Sequence, residues 1–198
     1  MAIVRVPRPK SDAGHLLTAE EFALRPEPVD GSREDLDRGR IVVVSRPIAR
    51  HGELQIRIGG ELDRFARKNR LGITRSESGF ITRRDPDSVR GPDVSFVSAA
   101  RPDGRAHDDA WIPGAPDLVV EILSSSDRAG MIRRKTAEYF AAGASRVWVV
   151  RPKQRTVAVH RADGTIVVRA DDGVLTSDDA GFAVDGFELP VADVFDAP

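Results

Sequence analysis

Two acidic residues lie in segments that are otherwise apolar enough to be buried. Glu121 stands in the middle of DLVVEILSSSD, residues 117–127, and Asp93 follows Pro92 directly before the apolar segment 94–97. Burying an unpaired carboxylate costs several kcal/mol, which is a large part of a domain's net stability of about 5 to 15 kcal/mol. A bound cation, a buried lysine or arginine, or protonation must therefore compensate Glu121.

These two acids can converge if their strands are adjacent and in register. Carboxylate oxygens suit Mg²⁺, which proteins usually hold with one or two carboxylates while it keeps several waters. Lys135 borders the inward stripe of the next predicted helix, so its ammonium can return towards the same place. There it could stabilise charge on a phosphoryl oxygen or orient an attacking water. Asp93, Glu121 and Lys135 are therefore the predicted catalytic residues.

The elements that would position these residues follow from periodicity and turn residues. Thr18 and Glu21 have the spacing of a capped helix start. Apolar residues at helical spacing predict a long helix through about Asn69, although Gly59 and Gly60 inside it cost roughly 1 kcal/mol each relative to alanine. We expect a loop over 100–116, a hairpin over 156–160 and 165–169, and strands over 40–45, 73–83, 94–97, 117–123 and 146–151.

A helix is predicted between the strand of Glu121 and the strand 146–151. Its inward stripe comprises Ile132, Thr136, Tyr139 and Phe140. Ser126 or Asp127 could cap its start and Gly143 its end. Two parallel strands joined by a helix form a right-handed crossover, so we expect one mixed sheet flanked by helices. The predicted fold class is α/β (α+β).

Composition and charge limit the class of protein. The 198 residues, of which 40% are hydrophobic, fit a single domain. The absence of cysteine excludes disulfides, thiolate metal sites and cysteine nucleophiles. With no signal peptide or run of about 18 apolar residues, we expect a cytoplasmic protein. Residues 156–198 carry a net charge of −7 and residues 1–155 one of +6, which indicates either a polyanion-binding face or an ordinary solvated surface.

Several spaced motifs resemble one family. The segments are PDV, VVEILS, KTAEY and VWVVRP, together with TAEEF, LDRGRIVVV and ARHGELQIRI towards the N-terminus. They are similar to the Uma2 family of restriction-endonuclease-like proteins, in the PD-(D/E)XK nuclease superfamily. The similarity runs from about Thr18 to His160. It implies an N-terminal extension over 1–17, a nuclease-like domain over 18–160 and an acidic, β-rich C-terminal appendage over 161–198 packed on the same domain.

The resemblance also implies a chemistry. We expect a restriction-endonuclease-like core with N-terminal and C-terminal β-hairpin additions, which binds Mg²⁺ or Mn²⁺ through Asp93, Glu121 and Ile122. The expected reaction is hydrolysis of nucleic-acid phosphodiesters, with DNA preferred as the partner, no membrane, and a homodimer as a plausible assembly. Leu123 stands where the superfamily has a lysine, and the resemblance transfers that role to Lys135. Arg40 stands where relatives usually have a glutamate.

Substrate contacts are predicted at His51, Arg90 and Arg128. His51 matches the family's histidine at the entrance of the long helix and could contact substrate or move a proton, or it could simply cap or pack. Arginines can bind phosphates, but exposed arginines on a solvated face are common. Ser124 and its two neighbours favour capping over a nucleophile role because no Gly-x-Ser-x-Gly elbow surrounds them.

Other interpretations of the same residues remain open. Glu121 could pair with a core arginine, Asp93 could be a turn residue and Lys135 could extend to solvent from the helix flank. Tyr139 and Trp148 are most simply core residues. A catalytically inactive nucleic-acid-binding or assembly module is the alternative function, and a glycosidase with an Asp93 and Glu121 pair is a weaker one.

Overall fold

The computed structural model describes residues 15–26, 28–29, 32–44, 48–101, 110–124 and 127–196. Its helices are α1 Ala19–Ala23, α2 Ala49–Asn69, α3 Ala129–Ala141, α4 Ser177–Ala180 and α5 Val191–Phe195. Its strands are β1 Arg33–Asp37, β2 Arg40–Val44, β3 Gly72–Ser76, β4 Phe80–Arg83, β5 Ser88–Arg90, β6 Val94–Ser98, β7 Ile112–Pro113, β8 Leu118–Ile122, β9 Arg146–Arg151, β10 Thr156–Arg161, β11 Ile166–Arg169, β12 Val174–Thr176 and β13 Glu188–Pro190. The predicted mixed α/β fold is confirmed.

The largest sheet carries the site. Its six strands are ordered β11-β10-β9-β8-β6-β3. Strands β8 and β9 are parallel and joined by α3, as the sequence predicts, whereas β6 is antiparallel to both β8 and β3. The sheet is therefore mixed, with the strand of Glu121 at its centre.

The prediction of a single sheet is wrong. Strands of the N-terminal half form a separate five-stranded sheet in the order β2-β1-β5-β4-β7, and β12 pairs with β13 in a third sheet. The chain changes sheets at Gly91-Pro92, between β5 and β6. Proline has no amide hydrogen to donate to a ladder, so pairing is interrupted there. The predicted strand 73–83 is likewise divided, with Glu77 in a left-handed conformation at φ 52°.

Both faces of the central sheet are buried. Side chains that alternate along β8 enter two different clusters, because successive residues of a strand point to opposite faces. Leu118, Val120 and Ile122 pack with α2, whereas Val119 packs on the other face with Tyr139 of α3. Glu121 follows the alternation of Val119, so its side chain lies on the α3 face.

The C-terminal residues contribute to the main core. Leu175, Phe182, Phe187, Val194 and Phe195 belong to the same cluster as the buried face of α2. Phe182 also packs edge-on against Phe96 of β6, with 4.9 Å between the ring centroids. The C-terminal segment and the buried face of α2 therefore share one hydrophobic core.

Local predictions differ in outcome. The capping box of Thr18 and Glu21 is present, and α2 continues through both glycines. Asp127 is not the cap of α3: the N-cap residue is Arg128, without a side-chain hydrogen bond. Asp127 instead accepts from the Ser124 amide at 2.6 Å, since its side chain is turned back along the loop.

Some predicted segments fall partly outside the described residues. These are residues 1–14 of the proposed N-terminal extension, residues 102–109 of the predicted loop, and Ser125 and Ser126. Among the helices of the described segments, none combines the length and apolar character that crossing a bilayer requires.

Candidate active site

Strand register places Asp93 beside Glu121. The antiparallel ladder of β6 and β8 pairs Ser95 with Val119 and Val94 with Val120. Asp93 directly precedes β6, and its carboxylate accepts from the amide of Ile122, the residue after Glu121. The two acids that the sequence singled out are therefore brought close together at the end of this ladder.

Asp93 is buried, with 6% of its surface exposed, and both of its oxygens are hydrogen-bonded. Oδ2 accepts from the Ile122 amide at 2.7 Å, and Oδ1 lies 2.9 Å from His51 Nε2. The hydrogen bond to Asp93 raises the pKa of His51 above its ordinary value, although burial opposes the rise. Ile122 therefore contacts Asp93 through its main chain, and only its carbonyl could contribute to a metal site.

Glu121 is held by two side chains of α3. Its Oε1 accepts a 2.6 Å hydrogen bond from the Tyr139 hydroxyl, and Lys135 Nζ lies 3.4 Å from each carboxylate oxygen. Lys135 and Tyr139 are four residues apart, so they are neighbours on one face of the helix. Helix α3, which follows Glu121 in the chain, thus supplies this carboxylate with two hydrogen-bond donors.

The acids and the lysine at this place shift one another's pKa values. Burial raises the pKa of Glu121, and the negative charges of Asp93 and Asp35 raise it further against the opposing effect of Lys135 and Tyr139. Burial by itself would lower the pKa of Lys135, but Glu121 and Asp35 together raise it. Lys135 therefore stays charged, and it does not reverse the rise in the pKa of Glu121.

Asp35 is a member of this group that the sequence did not indicate. Burial raises its pKa, while the charges of Lys135 and Arg90 oppose the rise. Its strand β1 pairs with β5 through Leu36 and Val89, which brings Asp35 next to Arg90, at 3.8 Å from Asp35 Oδ2 to Arg90 Nη1. Alternation along REDLD puts Asp35 and Asp37 on the same face of β1, and that is the one signal the sequence offers.

Arg90 lies in the interior rather than in a substrate path. It is 3% exposed and donates to both oxygens of Glu138, at 2.8 and 2.9 Å. A further bond of 2.8 Å goes to Asp37. These contacts fasten α3 to the N-terminal sheet. The predicted substrate contact of Arg90 would compete with three hydrogen bonds, so its geometry favours a structural role.

The remaining predicted residues are arranged differently. Arg128 is exposed at the start of α3, where it is free of the buried charges. Arg133 and Arg134 are exposed on the same helix, and Arg134 pairs with Asp37 at 3.0 Å. His51, on the first turn of α2, is brought directly to Asp93. The site thus gathers His51 with the two acids and Lys135, and leaves Arg128 at its periphery.

The donor set is suited to a hydrated hard cation. Within the described parts of the chain, no three His, Asp or Glu side chains form a group with metal-binding geometry. A closed protein cage of the kind that structural Zn²⁺ needs is therefore not formed there. Two neighbouring carboxylates match the way Mg²⁺ is held, through few protein ligands and several waters.

Comparisons with known proteins identify the family and the fold of the chain. The family model of Uma2, described as "Putative restriction endonuclease", matches residues 19–192. A solved structure from Anabaena variabilis ATCC 29413, described as a "putative nuclease belonging to DUF820", is similar with a TM-score of 0.71 at 22% identity. The similarity covers 90% of this chain and 97% of the other, and at this identity it shows the fold. No curated protein matches the chain.

Proposed function

Because the chain belongs to the Uma2 family, we propose that it is a metal-dependent endonuclease that hydrolyses nucleic-acid phosphodiesters. The observation that carries the proposal is the placement of Asp93, directly before β6, beside Glu121 of β8: the Ile122 amide donates to Asp93, and Lys135 Nζ lies 3.4 Å from Glu121. Two buried acids next to a lysine support a site that takes a cation and a phosphate.

Each residue has a distinct task in this proposal. Asp93 and Glu121 hold Mg²⁺ or Mn²⁺, and the Ile122 carbonyl is a third candidate ligand. The cation would supply Lewis-acid polarisation of the phosphoryl oxygen and lower the pKa of the water that attacks. Lys135 keeps its proton and stabilises negative charge that develops on the phosphoryl oxygens. Its position on α3 takes the place of the lysine that Leu123 does not provide.

Substrate contact is assigned to groups near the acids. His51 is hydrogen-bonded to Asp93, which orients its ring at the edge of the site. Arg128 is exposed at the N-terminus of α3 and can reach a phosphate along the bound strand. DNA is the proposed substrate, and the protein is proposed to act in the cytoplasm. A homodimer would allow cleavage of both strands of a duplex.

A cleavage assay tests the proposal. Purified protein is incubated with supercoiled plasmid and with single-stranded DNA and RNA, in Mg²⁺, Mn²⁺ or a chelator. The test variants are Glu121→Gln and Lys135→Met. Matched controls carry the same substitutions at exposed positions, Glu188→Gln and Lys153→Met.

We expect metal-dependent cleavage by the parent and both controls, and loss of cleavage in both test variants. Equal cleavage in all five preparations would indicate a contaminating nuclease. That result would contradict the assignment of Glu121 and Lys135 as catalytic residues. Cleavage that persists in the chelator would contradict the role of the metal.

A second candidate function has its own support. Both oxygens of Asp93 and both oxygens of Glu121 are already hydrogen-bonded within the protein, and Leu123 replaces the superfamily's lysine. A catalytically inactive module that binds nucleic acid or takes part in an assembly would be compatible with a site whose polar groups are hydrogen-bonded to one another. It predicts binding whose affinity falls steeply with salt, without strand cleavage, which a mobility-shift experiment run beside the plasmid assay distinguishes.

A further inference from the structure

Tyr139 differs from the other aromatic residues of the core in what its polar end contacts. The side chain is 1% exposed and its ring packs among Val119, Val147 and Val149 under the central sheet. A buried phenol needs a hydrogen-bond partner. Its hydroxyl donates to Glu121 Oε1 at 2.6 Å, so the apolar packing of the ring aims the hydroxyl at the candidate site.

The contact fixes one oxygen of the carboxylate. A glutamate side chain has three rotatable bonds and loses considerable rotamer freedom when it is immobilised. The hydroxyl of Tyr139 is held by a packed ring and donates to this carboxylate. A carboxylate offers about four lone-pair sites, of which Tyr139 occupies one.

The position of α3 is itself constrained. Glu138, adjacent to Tyr139, is bound by the buried Arg90 at 2.8 and 2.9 Å and accepts from Thr82 at 2.6 Å. These bonds tie α3 to the N-terminal sheet, while the ring of Tyr139 packs against Val119 of β8. The two sets of contacts together restrict the position of the Tyr139 hydroxyl beside Glu121.

From this geometry we propose that Tyr139 is a positioning residue that holds the Glu121 carboxylate in the orientation required for binding a divalent cation. The inference rests on the proposed function, since it concerns the same metal site. Groups that orient metal ligands typically contribute 10- to 100-fold to metal affinity or activity. Tyr139 acts through Glu121 and has no contact with the substrate in this role.

Calorimetric titration of the substrate-free protein with Mn²⁺ tests the proposal. Tyr139→Phe removes the hydroxyl and keeps the ring. The matched control is Thr82→Val, which removes a hydroxyl that donates over the same 2.6 Å to the adjacent carboxylate of α3, Glu138. We expect the Kd for Mn²⁺ to rise about 10-fold in Tyr139→Phe and to stay unchanged in Thr82→Val.

The outcomes separate the two claims. If the parent binds Mn²⁺ and Tyr139→Phe binds it equally well, the positioning role is refuted while the metal site stands. An equal loss of affinity in both variants would show a general effect of loosening α3 and would also refute it. If the parent binds no Mn²⁺, the proposed function fails first, and the inference with it.

A second measurement uses the parent protein and requires no substitution. The chain contains a single tyrosine, so selective ¹³Cζ-tyrosine labelling gives one resonance that belongs to Tyr139. When Mg²⁺ binds, the acceptor of the hydroxyl becomes a metal ligand, and this resonance should shift in proportion to metal occupancy. A resonance that stays fixed while Mg²⁺ binding is detected by calorimetry would overturn the proposal.

Discussion

Two groups of buried charges share helix α3, and the pKa values of their glutamates shift in opposite directions. The Arg90 cluster comprises Arg90, Glu138, Asp37 and Thr82. The Glu121 cluster comprises Glu121, Asp93, Asp35, Lys135 and Tyr139. Burial raises the pKa of Glu138, but hydrogen bonds from Arg90 and Thr82 outweigh it and hold that pKa below the ordinary value. Burial raises the pKa of Glu121, and there Lys135 and Tyr139 do not reverse the rise.

The Arg90 cluster has the contacts of a group that stabilises the structure, whereas the Glu121 cluster is the one proposed for catalysis. In the Arg90 cluster, a planar guanidinium meets a carboxylate through two parallel bonds, a geometry that neutralises both partners. In the Glu121 cluster, a lysine at 3.4 Å faces more than one acid. Shifted pKa values caused by burial and neighbouring charges are characteristic of functional sites. Helix α3 thus carries, within four residues, Glu138 paired with Arg90 and Lys135 paired with Glu121.

The largest expected effect separates the two clusters by activity. Asp93→Asn should lower kcat/KM for DNA cleavage by at least ~100-fold, since it removes charge from a metal ligand. Asp37→Asn, which neutralises an acid of the Arg90 cluster, should lower it less than about 3-fold. Steady-state cleavage of a fluorescent duplex provides the comparison, and circular dichroism verifies that both variants fold. Similar losses of kcat/KM in the two variants would show that the clusters do not differ in their contribution to activity.

The Arg90 cluster should contribute strongly to the stability of the fold. Arg90→Met leaves buried carboxylates without their partner, and breaking a buried pair in this way costs about 3 to 5 kcal/mol. Urea unfolding of the metal-free protein measures this loss of free energy. Arg133→Met, on the exposed side of α3, should change the free energy by less than about 0.5 kcal/mol. A comparably small change in Arg90→Met would show that the cluster does not stabilise the fold.

Divalent cations should stabilise the protein through the Glu121 cluster alone. At a cation concentration 100 times Kd, binding to the folded state adds about 2.7 kcal/mol to the free energy of unfolding. We expect Mg²⁺ to raise the Tm of the parent and of Asp37→Asn, and to leave the Tm of Glu121→Gln unchanged. An equal rise in Glu121→Gln would locate the binding site elsewhere.

The smallest expected effect is the pH dependence of stability, where the contributions of Glu138 and Asp35, one acid from each cluster, should have opposite signs. The pKa of Glu138 is lowered, so its contribution is present above the ordinary glutamate value of about 4.3 and is lost as pH falls through the folded value. The pKa of Asp35 is raised, so its contribution is present below about 3.9 and is lost as pH rises through the folded value.

Unfolding free energies at pH 4 and pH 7 test these signs. Relative to the parent, Glu138→Gln should be more destabilising at pH 7 than at pH 4. Asp35→Asn should be more favourable at pH 7 than at pH 4. Parallel pH dependence in the two variants would contradict the assignment of opposite pKa shifts to the two acids.

Local patterns in the sequence were enough to select residues that the fold brings close together. An acid inside an apolar strand is visible as a pattern, and so is a lysine at helical spacing after it; these patterns pointed to Asp93, Glu121 and Lys135, whose catalytic role stays a prediction. The capping box of Thr18 and the parallel pair β8 and β9 were predictable for the same reason.

What the sequence could not give depends on contacts between distant segments. Tyr139 lies on the inward stripe of α3 like any core residue, and only the fold shows that its hydroxyl meets Glu121. Asp35 lies in the polar segment REDLD and comes near Lys135 only because β1 pairs with β5. Arg90 suggested an exposed phosphate-binding residue until its partners Glu138 and Asp37, 48 and 53 residues away, were brought to it.

The central claim is that Asp93 and Glu121 together hold one divalent cation. A crystal structure of the protein grown with Mn²⁺, with anomalous data that identify the metal, tests it most directly. The account predicts one strong anomalous peak within bonding distance of a carboxylate oxygen from each acid, with water completing the coordination shell. Crystals grown in saturating Mn²⁺ that show no anomalous peak between the two acids would contradict it.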